Sequence, residues 1–235
     1  MVMPIPTTRL WKIERGAFSE IPKGKLDLEE RLEDWLASDI STVSPDLLLI
    51  GRQVPTTFSG PIDLLAMEEN GDVVIIELKR DKTHREITSQ VWDYAAYIAD
   101  LTAEDIVNIA NRHFRVGSFE EAYRRKFNHD FPDSINEQHK ILIVGSEIDS
   151  SSQRIINYLS EKGAVDINAI TFSYFKDGER EFITRTFLIE PTVQNIKQST
   201  TKILNLFSTA IHPQGQSCLE AQAREYEKCC LKNLD

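Results

Sequence analysis

Apolar residues recur along this chain in two rhythms. In Leu26-Asp-Leu-Glu-Glu-Arg-Leu-Glu-Asp-Trp-Leu36, Leu28, Leu32, Trp35 and Leu36 fall on one face of a 3.6-residue repeat, which predicts an amphipathic helix. Ile87, Val91, Tyr94 and Ile98 repeat that stripe over Glu86 to Ala99, and another helix is predicted from about Ser151 to Glu161. Short apolar runs bounded by turn residues predict strands at Leu10–Ile13, Leu47–Ile50, Ile62–Met67, Val73–Lys79, Ile141–Val144, Ile167–Phe175 and Glu181–Leu188. Glu68-Glu-Asn-Gly-Asp72 and Lys176-Asp-Gly-Glu179 are the turn signals joining two of these pairs into hairpins.

Strand, helix, strand and hairpin in that order predict an α/β fold, a central mixed β-sheet flanked by helices. Residues from about 103 to 138 read as two or more polar helices, an insertion near 101–138. After Pro191 a helix is predicted over Val193 to Ala210, then a linker from His212 and a last polar helix. The chain thus divides into a domain over 1–190 and a helical extension over 191–235. The polar C-terminal helix could mediate self-association into a homodimer.

Composition changes this picture little. The 235 residues are enough to bury a sizeable core, and a hydrophobic content of 41% with 27% charged is that of an ordinary globular protein. No run approaches the ~18–20 apolar residues of a membrane span. The N-terminus lacks the basic and apolar regions of a signal peptide, so a cytoplasmic protein with no membrane partner is expected. Cys218, Cys229 and Cys230 lack zinc-type spacing and read as free thiols. A net charge of −10 argues against a broad nucleic-acid-coating surface, though not against a nuclease whose cations line one groove.

The informative departure is chemical. Within the hairpin Gly60-Pro-Ile-Asp-Leu-Leu…Val74-Ile-Ile-Glu-Leu-Lys-Arg80, the charges inside the strand runs are Asp63, Glu77 and Lys79. Side chains alternate along a strand, so Glu77 and Lys79 share a face. A hairpin centred on Asn70 sets Asp63 opposite Glu77, with Cβ atoms about 5 Å apart. Two carboxylates that close repel unless a cation lies between them or one is protonated. Mg²⁺ is commonly held by one or two carboxylates with waters and phosphate oxygens, which this register could supply. Glu-x-Lys alone would read as a solvated ion pair. Three features weigh against that: the doubly apolar Val73–Ile76 run, the matching register of Asp63, and Gln90 on a helix with Tyr94 one turn on.

Gly60-Pro-Ile-Asp-Leu-Leu, Val74-Ile-Ile-Glu-Leu-Lys-Arg and Gln90-Val-Trp-Asp-Tyr94 resemble the PD-(D/E)XK nuclease superfamily, and more closely the nuclease domain of NucS/EndoMS-type endonucleases. The resemblance covers about 26–175. It implies a restriction-endonuclease-like (tRNA-endonuclease-like) core and metal-dependent hydrolysis of phosphodiester bonds, with DNA the expected partner. By position it implies that Asp63, Glu77 and the Leu78 carbonyl bind Mg²⁺ or Mn²⁺, and that Lys79 serves the attacking water. Glu29, or the adjacent Glu30, would match the acid of the preceding helix, and Gln90 and Tyr94 would orient the site. Pro61 stands where this family usually carries arginine, removing one expected phosphate contact. No room is left for the family's separate dimerisation domain, so its mismatch specificity is not carried over.

Further cations are substrate-binding candidates: Arg52 just before the site, and Arg80, Lys82 and Arg85 after the Lys79 strand. For Arg52 the alternative is an ion pair with a core-edge acid, and for the others a solvated loop. Arg112, His113 and Arg115 with Arg124, Arg125 and Lys126 could form a basic wall, with Phe114 and Tyr123 for base stacking. Neighbouring acids such as Glu104 and Glu120 make ordinary helix surface the preferred reading there. Gly145-Ser-Glu-Ile-Asp-Ser reads as a helix N-cap and not a phosphate loop. The expected function is a Mg²⁺- or Mn²⁺-dependent DNA endonuclease of repair or defence. The competing reading is a nucleic-acid- or protein-binding module that keeps the fold without cleaving.

Overall fold

Val73–Ile76 is apolar on both faces, and such a run is stable only when covered above and below. In the computed structural model it lies inside a mixed six-stranded sheet. The structure describes residues 8–25, 29–57, 60–83, 87–114, 118–162 and 166–190. The predicted helices of 191–235, with Cys218, Cys229 and Cys230, lie outside the described residues.

Strands β1 (Leu10–Glu14) and β2 (Ala17–Ile21) form a separate antiparallel pair. Helix α1 (Glu29–Ser38) precedes β3 (Leu48–Val54), β4 (Ile62–Met67) and β5 (Val73–Thr83). Helices α2 (Ile87–Ala99), α3 (Ala103–His113) and α4 (Phe119–Phe127) lead to β6 (His139–Ile148). Helix α5 (Ser150–Glu161), β7 (Asp166–Asp177) and β8 (Arg180–Phe187) follow. Strand order in the large sheet is β3-β4-β5-β6-β7-β8, with β5, β6 and β7 parallel and the outer pairings antiparallel. Among the described residues no helix is long and apolar enough to cross a membrane.

Parallel neighbours require crossover connections. The predicted insertion is part of one: α2, α3 and α4 carry the chain from β5 to β6, and α5 carries it from β6 to β7. These helices share one face of the sheet, where Val91, Tyr94, Ile98, Ile106, Phe119, Tyr123 and Ile156 are buried with Leu65, Met67, Val73 and Ile75. Although polar outside, α3 and α4 therefore supply core. Helix α1 covers the opposite face, its Leu32 and Leu36 packed on Leu64, Ala66, Val74, Ile76 and Leu78.

The β4–β5 register decides where the acids fall. Leu64 faces Ile76 and Leu65 faces Ile75, so the hairpin is centred on Asn70 as the turn signal predicts. Gly71 closes that turn at φ +87°, and a Cβ there would stand 3.0 Å from the Ser134 carbonyl oxygen and 2.9 Å from Ile135 Cγ2. The Tyr123 hydroxyl ties α4 to the same turn by donating to the Glu69 carbonyl. Replacing Gly71 with alanine is expected to destabilise the fold by about 1–3 kcal/mol, through left-handed backbone strain and the clash together. A denaturant midpoint equal to that of the native protein would contradict this account of the turn.

Candidate active site

Asp63 and Glu77 lie just beyond the Leu64–Ile76 pair that ends the β4–β5 ladder. Asp63 accepts the Leu78 backbone N–H on Oδ2 at 2.8 Å and the Gln53 side-chain amide on Oδ1 at 3.1 Å. Glu77 is 1% exposed, and its Oε1 accepts from Lys79 Nζ at 2.9 Å. Its other oxygen, Oε2, is buried with no hydrogen-bond partner. Asp63 acts on Glu77 through its charge and as a neighbour that favours the protonated carboxyl.

Electrostatics follow from that crowding. Burial, then the Asp63 charge, push the Glu77 carboxyl up to about 8, against the opposing pull of Lys79. Burial also raises Asp63, while the Leu78 N–H and Gln53 lower it and the Glu33 charge raises it again. A buried carboxylate with an open oxygen beside a second acid is unstable without a positive charge or a proton. Among the described residues no three His, Cys, Asp or Glu side chains converge on one point. A cation here would rest on two carboxylates, leaving its other positions to backbone oxygen, water or phosphate, a donor set that suits Mg²⁺ or Mn²⁺.

Helix α2 closes one side. Gln90 Nε2 donates to the Tyr94 hydroxyl at 2.7 Å, and that hydroxyl donates to the Pro61 carbonyl at 3.0 Å. Tyr94 is fully buried, and burial holds its phenol above the ordinary value. The pair thus pins the residues just before Asp63. Pro61, which brings no cation, contributes its carbonyl as the anchor.

The side facing α1 holds the residues that sequence reasoning missed. Glu33, 7% exposed, accepts from Gln53 Nε2 on both oxygens at 3.1 Å and from Arg52 Nε at 2.7 Å. One amide therefore bridges Glu33 to Asp63. The bridge depends on a distortion of β3. Its register shifts between Leu49 and Gly51, and Gln53 sits at φ 49°, a left-handed conformation that is rare outside glycine. Strained backbone of this kind clusters at functional sites. The available signal was a polar Arg52-Gln53 pair inside an otherwise apolar strand, together with Glu33 one helical turn after Glu29.

Of the other expected site residues, Arg52 forms ion pairs with Glu33 at 2.7 Å and Asp34 at 2.6 Å, the core-edge pairing given as its alternative. Leu78 enters through its N–H and pairs with Val144 in the ladder. Glu29 and Glu30 begin α1, and Arg80 and Lys82 lie in β5, but their side chains lie outside the described residues, as does all of Arg85. The N-cap read near Gly145 is Asp149, which accepts from the Ser151 and Ser152 amides, while Gly145 itself lies within β6.

Residues 28–110 match the family model of the endonuclease NucS C-terminal domain. Endonuclease NucS of Bifidobacterium adolescentis is 32% identical over 81 residues, covering 34% of this chain and 34% of that protein. Endonuclease NucS of Kocuria rhizophila is 42% identical over 53 residues, 23% of this chain and 22% of that protein. The chain thus spans about a third or less of the length of these relatives. Among solved structures, a repair endonuclease from Pyrococcus abyssi is 13% identical with a TM-score of 0.36, covering 62% of this chain and 48% of that one. An EndoMS–dsDNA complex is 15% identical with a TM-score of 0.38, covering 66% and 50%. The segment from 28 to 110, which carries Asp63, Glu77, Leu78, Lys79, Gln90 and Tyr94, is NucS-like.

Proposed function

We propose that this protein is a divalent-cation-dependent nuclease of the PD-(D/E)XK, restriction-endonuclease-like class, hydrolysing phosphodiester bonds in DNA during repair or defence. One observation carries the reading: the buried, unpartnered Oε2 of Glu77 beside Asp63, with Lys79 on the opposite oxygen. The NucS-like segment supports it, because that segment contains all three residues.

In this reading Asp63 and Glu77 hold Mg²⁺ or Mn²⁺, with the Leu78 carbonyl as a third donor. The chemistry such an ion supplies is Lewis acidity, activating water and offsetting charge at the phosphate. Lys79 Nζ orients the attacking water and stabilises the charge that grows on the phosphoryl oxygens. Gln53 fixes the Asp63 carboxylate, and Glu33 fixes Gln53. Gln90 and Tyr94 hold the backbone at Pro61, keeping Asp63 at its register. Roles for Glu29 at the cation and for Arg80, Lys82 and Arg85 at the substrate are proposed from the sequence alone, their side chains lying outside the described residues.

A second reading, a binding module that does not cleave, draws on the net charge of −10 and on Arg52 being ion-paired. A panel of end-labelled DNA and RNA in duplex, branched and single-stranded forms, incubated with Mg²⁺ or Mn²⁺, separates the two. Cleavage of at least one DNA form is expected, with the rate falling by roughly 10³-fold or more in Asp63→Ala. Undiminished cleavage in that variant would remove the site assignment. Binding without cleavage across the panel would favour the module.

A further inference from the structure

Strand β3 and the last turn of α3 enclose a groove of 420 Å³ whose walls include Gly51, Gln53, Val54, Ile109, Arg112 and His113. That volume is within the ~300–1,000 Å³ of small-ligand sites. Glycine is required at 51, since a Cβ there would stand 2.5 Å from Val54 Cγ2 and 3.3 Å from Ile109 Cγ2. Its absence lets α3 approach the strand closely enough to form the two walls. The groove borders the acids through one residue: Gln53, which lines it, donates to Asp63 at 3.1 Å.

The walls have distinct chemistries. Val54 and Ile109 are apolar. Arg112 is exposed and forms no ion pair among the described residues, its Nε donating at 3.1 Å to the Asn108 carbonyl of its own helix. That bond orients the guanidinium and leaves its terminal nitrogens for another acceptor. His113 is half-buried, its ring against Phe114 at 5.3 Å. Arg52, by contrast, is committed to Glu33 and Asp34. An anion at Arg112 beside an apolar body at Val54 and Ile109, close to Asp63 through Gln53, suits a phosphate and its adjoining sugar.

We propose that this groove seats the substrate DNA strand next to the cleaved bond, with Arg112 taking a neighbouring phosphate and Val54 and Ile109 contacting the adjoining sugar. The assignment rests on the nuclease reading of the Asp63–Glu77 site and adds the path of the strand away from it.

Fluorescence anisotropy of the full chain with labelled oligonucleotides in EDTA, over a salt series, tests the groove without cleavage. Arg180→Ala serves as a charge-matched control, since Arg180 begins β8 at the opposite edge of the sheet from β3. Arg112→Ala is expected to weaken binding by about tenfold, uniformly across sequences, and to lower the salt slope by about one. Arg112→Lys should retain part of the affinity, and Arg180→Ala should resemble the native protein. In cleavage with Mn²⁺, KM should rise in Arg112→Ala while kcat holds, which a general loss of structure would not produce. Equal behaviour of Arg112→Ala and Arg180→Ala overturns the groove and leaves the nuclease reading standing. Arg112-dependent binding by a native protein that cuts nothing preserves the groove and removes the nuclease. Absence of both binding and cleavage overturns both.

Discussion

Glu77→Gln is expected to abolish cleavage while making the cation-free protein more stable. The carboxyl is 1% exposed, faces Asp63 and has one oxygen without a partner, so the fold holds it against its own solvation preference. Its value in the folded state is about 8, against 4.5 for the free side chain. The sign follows from proton counts: between those values the folded protein binds the proton more tightly than the unfolded chain, so stability falls as pH rises. The loss is about 1.4 kcal/mol per pH unit across that window and levels off above it. At pH 7 the penalty is on the order of 3 kcal/mol, which glutamine removes because it carries no charge and can donate to Asp63. For a domain of this size that corresponds to a Tm rise of roughly 5–10 °C. The gap between variant and native protein should shrink toward pH 5 and be largest near pH 8. Mn²⁺ should raise the native Tm by mass action and leave the variant unmoved. A variant that still cleaves, or a Tm gap independent of pH, would refute the placement of Glu77.

Stability and chemistry thus oppose each other at one residue. In the proposed reading, the same burial that makes Glu77 costly would favour a cation there, because taking carboxylates out of water strengthens their interaction with a positive charge. Lys79 relieves part of the cost from one oxygen, and Gln53 and the Leu78 N–H relieve part of it at Asp63. Glu33 works the other way, adding negative charge that is itself held by Arg52. At Glu77, burial and the Asp63 charge together outweigh the pull of Lys79, so the protonated carboxyl is favoured.

What could be read beforehand was whatever the local pattern dictates. The register that sets Asp63 against Glu77 follows from the Asn70-Gly71 turn and the alternation of Ile62–Met67 with Val73–Lys79. The stripes of α1 and α2 bury the faces they predict, Leu32 and Leu36 on one side of the sheet, Val91, Tyr94 and Ile98 on the other. Strand lengths were less legible. Strand β3 runs on to Val54 and β6 from His139 to Ile148, because pairing extends polar ends that periodicity alone assigns to loops. Strand β2, with Phe18 exposed, carries no apolar alternation to reveal it. Within the site, Glu33 and Gln53 were hidden because their meeting depends on a bulge and a left-handed residue in β3. Neither leaves a mark in hydrophobic spacing.

Lys79→Ala should separate cation binding from catalysis. Its ammonium lies 2.9 Å from Glu77 Oε1 and is one-third exposed, so it can turn toward a substrate without unfolding anything. Losing a positioned charge that stabilises a transition state costs about 10²–10³-fold in rate. The carboxylates would remain, so the Mn²⁺-induced rise in Tm should persist. Because Lys79 opposes the upward shift of Glu77, its loss should make the cation bind less well at low pH, moving the rate profile toward alkaline values. Lys79→Arg should recover part of the charge effect but little of the rate, since a planar guanidinium cannot occupy the same point. Single-turnover rates at saturating Mn²⁺, measured beside thermal shifts, distinguish the outcomes. A variant that loses the cation response together with cleavage would make Lys79 a support for the carboxylates. A variant that cleaves at the native rate would leave the attacking water without its proposed partner.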